Sequence, residues 1–273
     1  MVDESRSSLL SGNHVKRVLD QGGTVLGTMV AFCRTPAIVR IIAAAGFDLV
    51  LLDLEHSSFS AETIADMCEM ARAAGLVPVV RPYLTSADLA HRLQDLGAMG
   101  LMFPGVSGRT QVDEFRRWMR FPPAGTRGHT DTNAGQDYMA LAAGTAKHLM
   151  DDAAMLVVQV ESAEAVGRID EILDGGGIDI VEIGRGDLST DLGVPGELRH
   201  PRVLAAVDRV IAACARGGAA AGVSCGSTQD ATDMMQRGVR CVNFSTDRRI
   251  MALAYNDMAG TLRQALRDSG QAS

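Results

Sequence analysis

The sequence is poor in aromatic residues and lacks several features that mark common protein classes. Phe, Trp and Tyr make up 4% of its 273 residues, whereas Ala, Gly, Val and Leu are plentiful, which favours a helix-covered parallel sheet over a β-sandwich. The net charge of −7 leaves no basic surface of the kind that binds nucleic acid. Because no apolar run reaches the ~18 residues of a membrane span, we expect no membrane partner.

Cysteine is also sparse, with five residues that occur singly: Cys33, Cys68, Cys214, Cys225 and Cys241. No Cys-x-x-Cys pair is present, so we expect no thiolate metal site. The first thirteen residues are polar and carry acids, unlike a signal peptide. An odd cysteine count without a signal peptide predicts reduced thiols in a cytoplasmic protein, each of them a small core residue.

Eight short apolar segments predict β-strands: Thr24–Ala31, Leu49–Asp53, Val77–Arg81, Gly100–Phe103, Met155–Val160, Ile178–Ile183, Ala219–Val223 and Cys241–Ser245. Segments with apolar residues three and four positions apart predict helices: Pro36–Ala45, Ala61–Ala74, Ala87–Leu96, Val112–Met119, Ala163–Leu173, Pro201–Arg216, Thr228–Arg237 and Met251–Arg267. Eight strands that are each followed by a helix predict an α/β protein, a (β/α)8 TIM barrel formed by residues 1–273 as a single domain.

One long insertion, residues 121–152, interrupts this alternation and is rich in Pro and Gly. A long insertion in a compact barrel is more often functional or interfacial than idle. Of the histidines outside the strand ends, His129 within this insertion is the one we most expect near an active site. The tail after Arg267 is expected to be frayed.

Polar residues follow four of the predicted strands, where TIM barrels place their active sites. The second strand ends in Asp53-Leu54-Glu55-His56, the third in Arg81, the fifth in Gln159-Val160-Glu161, and the sixth leads to Gly184-Arg185-Gly186-Asp187. One such residue could be a solvated surface group. Acids, a base and an arginine at four strand ends together predict a site.

Two of these acids, Glu161 and Asp187, follow neighbouring strands of the predicted barrel. Two converging carboxylates suit a hard divalent ion such as Mg²⁺ or Mn²⁺, which takes oxygen ligands and retains water. Alternatively, each acid pairs with a neighbouring arginine or caps a helix.

The remaining polar residues fit acid–base and anion-binding roles. Asp53 precedes His56 by three residues, and an aspartate beside a histidine can fix its tautomer and raise its basicity. His56 could equally be a loop residue, and Glu55 is expected to point elsewhere, in a salt bridge. A guanidinium such as that of Arg81 suits a carboxylate or an enolate oxygen, or an ion pair with Asp53 or Glu161.

Several segments resemble the HpcH/HpaI aldolase family, the class II pyruvate aldolases typified by 4-hydroxy-2-oxoheptane-1,7-dioate aldolase. The resemblance extends from about Gly27 to the final helix and rests on the order and spacing of these segments: Ala44–Asp48, Asp53–His56, Pro78–Pro82, Gly97-Ala98, Phe103-Pro104, Phe121–Gly128, Val158–Glu161 and Ile183–Ser189.

The resemblance implies a role for each matching residue. Glu161 and Asp187 would bind the divalent metal (Mg²⁺, Mn²⁺ or Co²⁺), and His56 would be the acid–base group, paired with Asp53. Arg81 would contact the keto or enolate oxygen, Gln159 would lie beside pyruvate, and backbone amides near Gly186 would hold its carboxylate. It also implies a homo-oligomer, a hexamer or trimer, that acts on a 2-oxoacid and an aldehyde.

The chain departs from the family pattern at Arg185, where the family commonly has proline. Arg185 would bind a second anionic group of the substrate, or form a structural pair with Asp191 or Glu182. A departure beside a metal ligand leaves the substrate open.

The predicted reaction is the making or breaking of a carbon–carbon bond next to a pyruvate-type enolate. The competing Schiff-base chemistry needs a lysine, but the chain has only Lys16 and Lys147 and neither ends a strand. A decarboxylase of an oxaloacetate-like acid is an alternative. So is an acyl-CoA lyase, for which Arg116, Arg117 and Arg120 would have to face the barrel mouth. A third alternative is a non-catalytic barrel that serves as an oligomeric binding module.

Overall fold

A closed barrel of eight parallel strands, arranged in sequence order, forms the centre of the protein. The computed structural model describes residues 10–269. The strands are β1 (Val25–Val30), β2 (Leu49–Asp53), β3 (Val77–Arg81), β4 (Gly100–Phe103), β5 (Met155–Val160), β6 (Ile180–Ile183), β7 (Ala220–Cys225) and β8 (Cys241–Thr246). The predicted (β/α)8 barrel is therefore confirmed.

Twelve α-helices and one short 3₁₀ helix, Ala134–Gln136, surround this barrel in the described residues. The helices are α1 (His14–Asp20), α2 (Ala37–Ala44), α3 (Ala61–Ala73), α4 (Ala87–Asp95), α5 (Arg109–Trp118), α6 (Ala143–Ala153), α7 (Ala163–Gly167), α8 (Ile169–Leu173), α9 (Arg185–Asp191), α10 (Pro201–Gly217), α11 (Thr228–Arg237) and α12 (Asp247–Asp268). Helices α1, α6 and α9 were not predicted, because they are short or lack a continuous apolar face.

Side chains alternate between the inside of the barrel and the shell beneath the helices. On β6, Ile180 packs with the interior cluster, whereas Val181 and Ile183 pack with the outer cluster. The interior is filled by layers of side chains, as in other TIM barrels. Glu182 lies between Val181 and Ile183 in sequence, so the alternation of a strand directs it inward.

The amino end of the barrel is closed by α1. Val15 and Leu19 lie four positions apart and pack into the interior cluster. Lys16 Nζ lies 3.1 Å from Asp179 Oδ1 and donates a hydrogen bond to the Ala154 carbonyl, both of which precede strands. Helix α1 therefore blocks the end opposite to the carboxyl ends of the strands.

The predicted insertion, residues 121–152, also packs near the amino end. Its Arg127 pairs with Asp95 at the end of α4, 2.9 Å away. His129 packs edge-on against Phe121 and contacts Gln136. The expectation that His129 approaches the site was wrong, because the insertion follows a helix that has already returned to the amino ends of the strands.

The remaining predictions concern cysteines and termini. Four cysteines are buried, Cys33 is partly buried, and all five are free thiols. Asp268, in the predicted tail, still belongs to α12, and residues 270–273 lie outside the described residues. Within residues 10–269, no helix is long and apolar enough to cross a bilayer.

Candidate active site

A pocket of about 270 Å³ opens at the carboxyl ends of the strands. Six of the eight residues predicted from the strand ends line it: His56, Arg81, Gln159, Arg185, Gly186 and Asp187. The other two do not line it, but each is hydrogen-bonded to a residue that does: Asp53 to Arg81 and Glu161 to Gln159. The sequence order of the barrel therefore brings the eight predicted residues to one end.

The ends of β2 and β3 are joined by a buried ion pair between Asp53 and Arg81. Arg81 Nε and Nη2 donate to the two carboxylate oxygens of Asp53 at 3.0 and 2.9 Å. Burial alone would lower the pKa of Arg81, but the hydrogen bonds and the charges of Asp53, Glu55 and Glu161 raise it. Arg81 therefore stays charged, and its Nη1 is directed toward Glu55 Oε2 at 3.1 Å and Gln159 Oε1 at 3.4 Å.

The loop after β2 positions His56 differently from the expectation. Asp53 Oδ1 accepts the backbone N–H groups of Glu55 and His56 at 3.0 and 3.4 Å. The closest acid to the His56 ring is Glu55, with Oε2 3.7 Å from Nε2. Asp53 thus fixes the His56 backbone rather than its ring. Glu55 forms the expected salt bridge, but with Arg81 and inside the site.

The His56 ring itself is open to solvent. Its side chain is 64% exposed, so it can reach a group in the pocket mouth without displacing packed atoms. Sequence reasoning found His56 but missed Glu55 as its acidic neighbour. The signal was present in the Asp-x-Glu-His spacing, since a loop that turns at the strand end allows adjacent side chains to converge.

A hydrogen-bond chain continues from Arg81 to Glu161. Gln159 accepts from Arg81 and donates its amide N–H to Glu161 Oε2. Glu161 Oε1 accepts the backbone N–H of Gly105 at 2.9 Å. A Cβ atom at Gly184 would lie 2.7 Å from Glu161 Cβ. Only glycine therefore allows β6 to approach Glu161 this closely.

Glu161 and Asp187 form the candidate metal pair. Burial raises the pKa of Glu161, the hydrogen bonds from Gln159 and Gly105 oppose that rise, and the charges of Asp187 and Glu55 add to it. Within residues 10–269, no cluster of three or more His, Cys, Asp and Glu side chains is arranged to hold a metal ion. A metal ion held by the candidate pair would therefore have two carboxylate ligands from the protein.

The donor chemistry of this pair fits a divalent cation. Mg²⁺ is commonly held by one or two carboxylates, while water and substrate complete its coordination. Each carboxylate oxygen of Glu161 accepts one hydrogen bond and retains a second lone pair. A cation would also neutralise the negative charge that raises the pKa of Glu161.

Arg185 lines the pocket but is held by protein groups. Its Nη1 and Nη2 donate to Asp230 at 3.0 and 2.6 Å, and Nη2 also donates to the Ser224 carbonyl at 2.7 Å. The side chain is 2% exposed. The expected structural pair exists, but its partner is Asp230 in the first turn of α11 rather than Asp191 or Glu182.

Sequence reasoning missed two residues that line the pocket, Glu182 and Ser224, and a third, Asn243, that lies beneath Glu182 in the barrel. Ser224 Oγ and Asn243 Nδ2 each donate to a different Glu182 oxygen at 3.0 Å. One signal was available, since a charged residue inside an apolar strand is rarely buried without a reason. Ser224 was missed because the predicted seventh strand ended at Val223, whereas β7 continues to Cys225.

Comparison with known proteins identifies related sequences along most of the chain. The family model described as HpcH/HpaI aldolase/citrate lyase matches residues 29–253. A 4-hydroxy-2-oxo-heptane-1,7-dioate aldolase of Klebsiella pneumoniae subsp. pneumoniae is 31% identical over 254 residues, which cover 90% of this chain and 92% of that protein.

Solved structures are similar over nearly the same extent. The crystal structure of an HpcH/HpaI aldolase from Desulfitobacterium hafniense DCB-2 has a TM-score of 0.86 and 31% identity, and the match covers 91% of this chain and 96% of that one. A citrate synthase has a TM-score of 0.80 and 25% identity, with 93% of this chain and 98% of the other covered. The similarity thus includes the whole barrel.

Proposed function

The chain belongs to the HpcH/HpaI aldolase/citrate lyase family and is a lyase that acts on carbon–carbon bonds, and we propose that it is a divalent-metal-dependent pyruvate aldolase. Its substrates in the cleavage direction would be 4-hydroxy-2-oxoacids. Cleavage would release a pyruvate-type enolate and an aldehyde, and synthesis would join them.

One observation carries this proposal: a fixed guanidinium, an exposed imidazole and one carboxylate line a single pocket, and a second carboxylate is hydrogen-bonded to its lining residue Gln159. Glu161 and Asp187 supply the carboxylates, and Arg81 lies between them and the loop that holds His56. An enolate needs positive charge at its oxygen, and an aldol hydroxyl needs a base. The pocket contains groups for both tasks.

Glu161 and Asp187 would hold the metal ion, which when bound supplies a Lewis acid to polarise a substrate carbonyl. Arg81 is fixed by Asp53 on one edge, so its Nη1 can stabilise negative charge on the enolate oxygen without reorganisation. In this proposal Gln159 lies beside the 2-oxoacid and the backbone at Gly186 holds the acid's carboxylate.

His56 moves the proton of the aldol hydroxyl. In cleavage it removes this proton as the carbon–carbon bond breaks, and in synthesis it returns a proton to the new hydroxyl. Glu55, 3.7 Å from the ring, would stabilise the protonated imidazole. Arg185 is committed to Asp230, so we assign it a structural role rather than contact with a second anionic group.

The acyl-CoA alternative is not supported by the positions of Arg116 and Arg120, two of its three proposed arginines. A Cβ atom at Gly177 would lie 2.4 Å from Arg116 Nε, and Arg120 donates to the Ala154 carbonyl at 3.4 Å. Gly177 and Ala154 precede β6 and β5, at the amino end of the barrel. Arg116 and Arg120 therefore lie away from the pocket and could not bind a nucleotide at its mouth.

The test is pyruvate release from a panel of 4-hydroxy-2-oxoacids by the full chain, followed with a pyruvate-specific coupled assay. EDTA-treated protein is compared with protein given Mg²⁺, Mn²⁺ or Co²⁺. We expect release only with a divalent ion. Full activity in metal-free protein would contradict the metal requirement, and absence of pyruvate release from every acid would contradict the aldolase itself.

A further inference from the structure

The floor of the pocket contains a carboxyl group that the proposed reaction does not use. Glu182 extends from β6 into the barrel, is 3% exposed, and lines the pocket together with Arg81 and Ser224. On its other side it borders a small internal cavity lined by Asn243 and apolar residues. Glu182 therefore lies at the boundary between the pocket and the apolar interior.

Two glycines make room for this polar group. A Cβ atom at Gly222 on β7 would lie 2.6 Å from Glu182 Oε2, and one at Gly27 on β1 would lie 2.4 Å from Asn243 Oδ1. Real Cβ atoms do not approach other atoms this closely. A side chain at either position would therefore displace the carboxyl or the carboxamide, which occupy a layer that barrels commonly fill with aliphatic residues.

In the part of the chain that the structure describes, the donors to Glu182 are neutral groups. Its two oxygens accept from Ser224 Oγ and Asn243 Nδ2. The nearby cations are engaged elsewhere, Arg81 by Asp53 and Arg185 by Asp230. Among residues 10–269, Asn243 Oδ1 has no hydrogen-bond partner, so the cluster has an additional unused acceptor.

A buried carboxyl without its own cation is costly to keep ionised. Burial raises the pKa of Glu182 to about 7, although the hydrogen bonds from Ser224 and Asn243 and the charges of Arg81 and Arg185 oppose the rise. Perturbed groups of this kind concentrate at functional sites. Ser224, in contrast, is exposed to the pocket.

We propose that Ser224, positioned by Glu182, binds a hydroxyl group of the substrate other than the aldol hydroxyl. This contact makes the enzyme selective for 2-oxoacids or aldehydes that carry such a hydroxyl over those that lack it. This inference rests on the proposed aldolase function. The hydroxyl could belong to the 2-oxoacid or to the aldehyde.

The hydrogen bonds explain why a hydroxyl is the preferred ligand. Ser224 donates its only proton to Glu182, so the lone pairs of its oxygen face the pocket and accept from a donor. A hydroxyl donates, whereas a methyl group cannot and a carboxylate would be repelled by Glu182. Arg185 holds the Ser224 carbonyl, which fixes the backbone that carries this hydroxyl.

The first experiment measures binding and does not need turnover. At pH 8, where Glu182 is ionised, calorimetry with Mn²⁺ compares 3-hydroxypyruvate with pyruvate, which differ by one hydroxyl. The second compares kcat/KM for glycolaldehyde and acetaldehyde with pyruvate as the common partner. The first pair reports a hydroxyl on the 2-oxoacid, and the second reports a hydroxyl on the aldehyde.

We expect one of these ratios to favour the hydroxylated compound and to fall roughly 3- to 10-fold in Ser224→Ala, the effect of one neutral hydrogen bond. Ser224→Thr keeps the hydroxyl and should restore the preference. Glu182→Gln should also lower the ratio, because its amide donates to Ser224 and releases the serine proton toward the pocket. Glu171→Gln, an exposed glutamate on α8, is the matched control and should leave both ratios unchanged.

General damage to the fold lowers values for both members of a pair and leaves their ratio intact, so the ratio isolates the proposed contact. If Ser224→Ala changes neither ratio, the inference is wrong. If the protein fails the pyruvate-release test on every acid but the binding ratio falls in Ser224→Ala, the aldol reaction is rejected and the hydroxyl site stands. Failure of both 2-oxoacids to bind in the presence of Mn²⁺ would reject both proposals.

Discussion

Arg185 and Asp230 form a doubly hydrogen-bonded ion pair between the start of α9 and the first turn of α11, with Nη1 and Nη2 at 3.0 and 2.6 Å from the carboxylate. The pair is shielded, since the side chains are 2% and 14% exposed. It connects the segment carrying Asp187 to α11, the helix that follows β7. Arg185, where the resemblance implied a departure from the family pattern, thus links α9 to α11 and, through the Ser224 carbonyl, to β7.

Removing this guanidinium should destabilise the fold. Arg185→Met leaves Asp230 shielded without its cation, and breaking a buried pair costs about 3 kcal/mol or more. Urea unfolding would measure the loss of stability. The double variant Arg185→Met with Asp230→Asn should lose less stability than the sum of the losses in the two single variants. The exposed pair Arg216–Asp170 provides the control, because Arg216→Met should change stability by less than about 1 kcal/mol. A small effect of Arg185→Met would contradict this structural role.

The same variant tests whether Arg185 recognises substrate. Because its guanidinium is already bonded to Asp230 and Ser224, we expect kcat/KM to fall equally for dicarboxylic and uncharged-chain 4-hydroxy-2-oxoacids. A direct contact with a second carboxylate would instead produce an extra loss of roughly 10–150-fold for the dicarboxylic acids alone. That selective loss would restore the substrate-binding hypothesis.

The candidate metal pair makes a direct prediction for cation binding. Glu161→Gln or Asp187→Asn should weaken Mn²⁺ binding by at least ~10–100-fold, because even loss of residues that only support metal ligands has this effect. Isothermal titration of EDTA-treated protein measures the affinity independently of activity. Glu171→Gln should bind Mn²⁺ like the unchanged protein. Normal affinity in both site variants would place the metal elsewhere.

His56 should contribute to kcat and not to metal binding. His56→Ala is expected to lower kcat by about 10²–10⁴-fold, the usual contribution of a general acid–base group, while Mn²⁺ affinity stays unchanged. Single-turnover kinetics and titration separate the two effects. His148, a 75%-exposed histidine on α6, provides the control variant His148→Ala. An unchanged kcat in His56→Ala would reduce His56 to a loop residue.

The fold was predictable because each strand carries its own apolar run and each main helix its own periodic face. Strands β2, β3, β4 and β5 have the predicted bounds. Helix α6 was missed since Ala142 supplies no capping side chain and Gly144 disfavours helix. Helix α1 was missed because its two interior contacts, Val15 and Leu19, are too few to produce a recognisable period.

The site was predictable only where residues follow strand ends in sequence. Glu161 and Asp187 were predicted in this way as the metal ligands. The pairing of Asp53 with the backbone rather than the ring of His56 depends on the turn of a loop, and the partner of Arg185 lies 45 residues away. Long-range partners of this kind are set by packing between helices and strands that are distant in sequence, and no local sequence pattern indicates them.

Helix α12 should bind a second copy of the chain. Of its 22 residues, only Asp247 is buried, while Met258, Leu262 and Leu266 are 45–66% exposed and recur every four residues on one face. An apolar stripe of this length is typical of an interface. Light scattering should detect an oligomer that Leu262→Glu weakens and Gln264→Glu, on the opposite face, does not. A monomeric unchanged protein would contradict this and the expected homo-oligomer.

The last prediction concerns the pH dependence of stability caused by Glu182. Burial raises its pKa to about 7 from an ordinary value of 4.5, so between these pH values the folded chain holds a proton that the unfolded chain has released. Folding stability therefore falls as pH rises through this window, and the loss is complete above about pH 7. Its size is roughly 3 kcal/mol, at 1.36 kcal/mol per pKa unit.

Glu182→Gln has no proton to release, so it should become more stable relative to the unchanged protein as pH rises from 5 to 8. Urea unfolding of both proteins at the two pH values measures this change directly. Glu171→Gln is the control: hydrogen bonds with Arg168 lower the pKa of that exposed carboxyl, so its pH effect lies below pH 4.5 and has the opposite sign. If the stability difference between Glu182→Gln and the unchanged protein is the same at pH 5 and pH 8, then Glu182 titrates like a solvated carboxylate. The carboxyl would then be fully ionised at neutral pH, and water or an additional cation would have to compensate its burial.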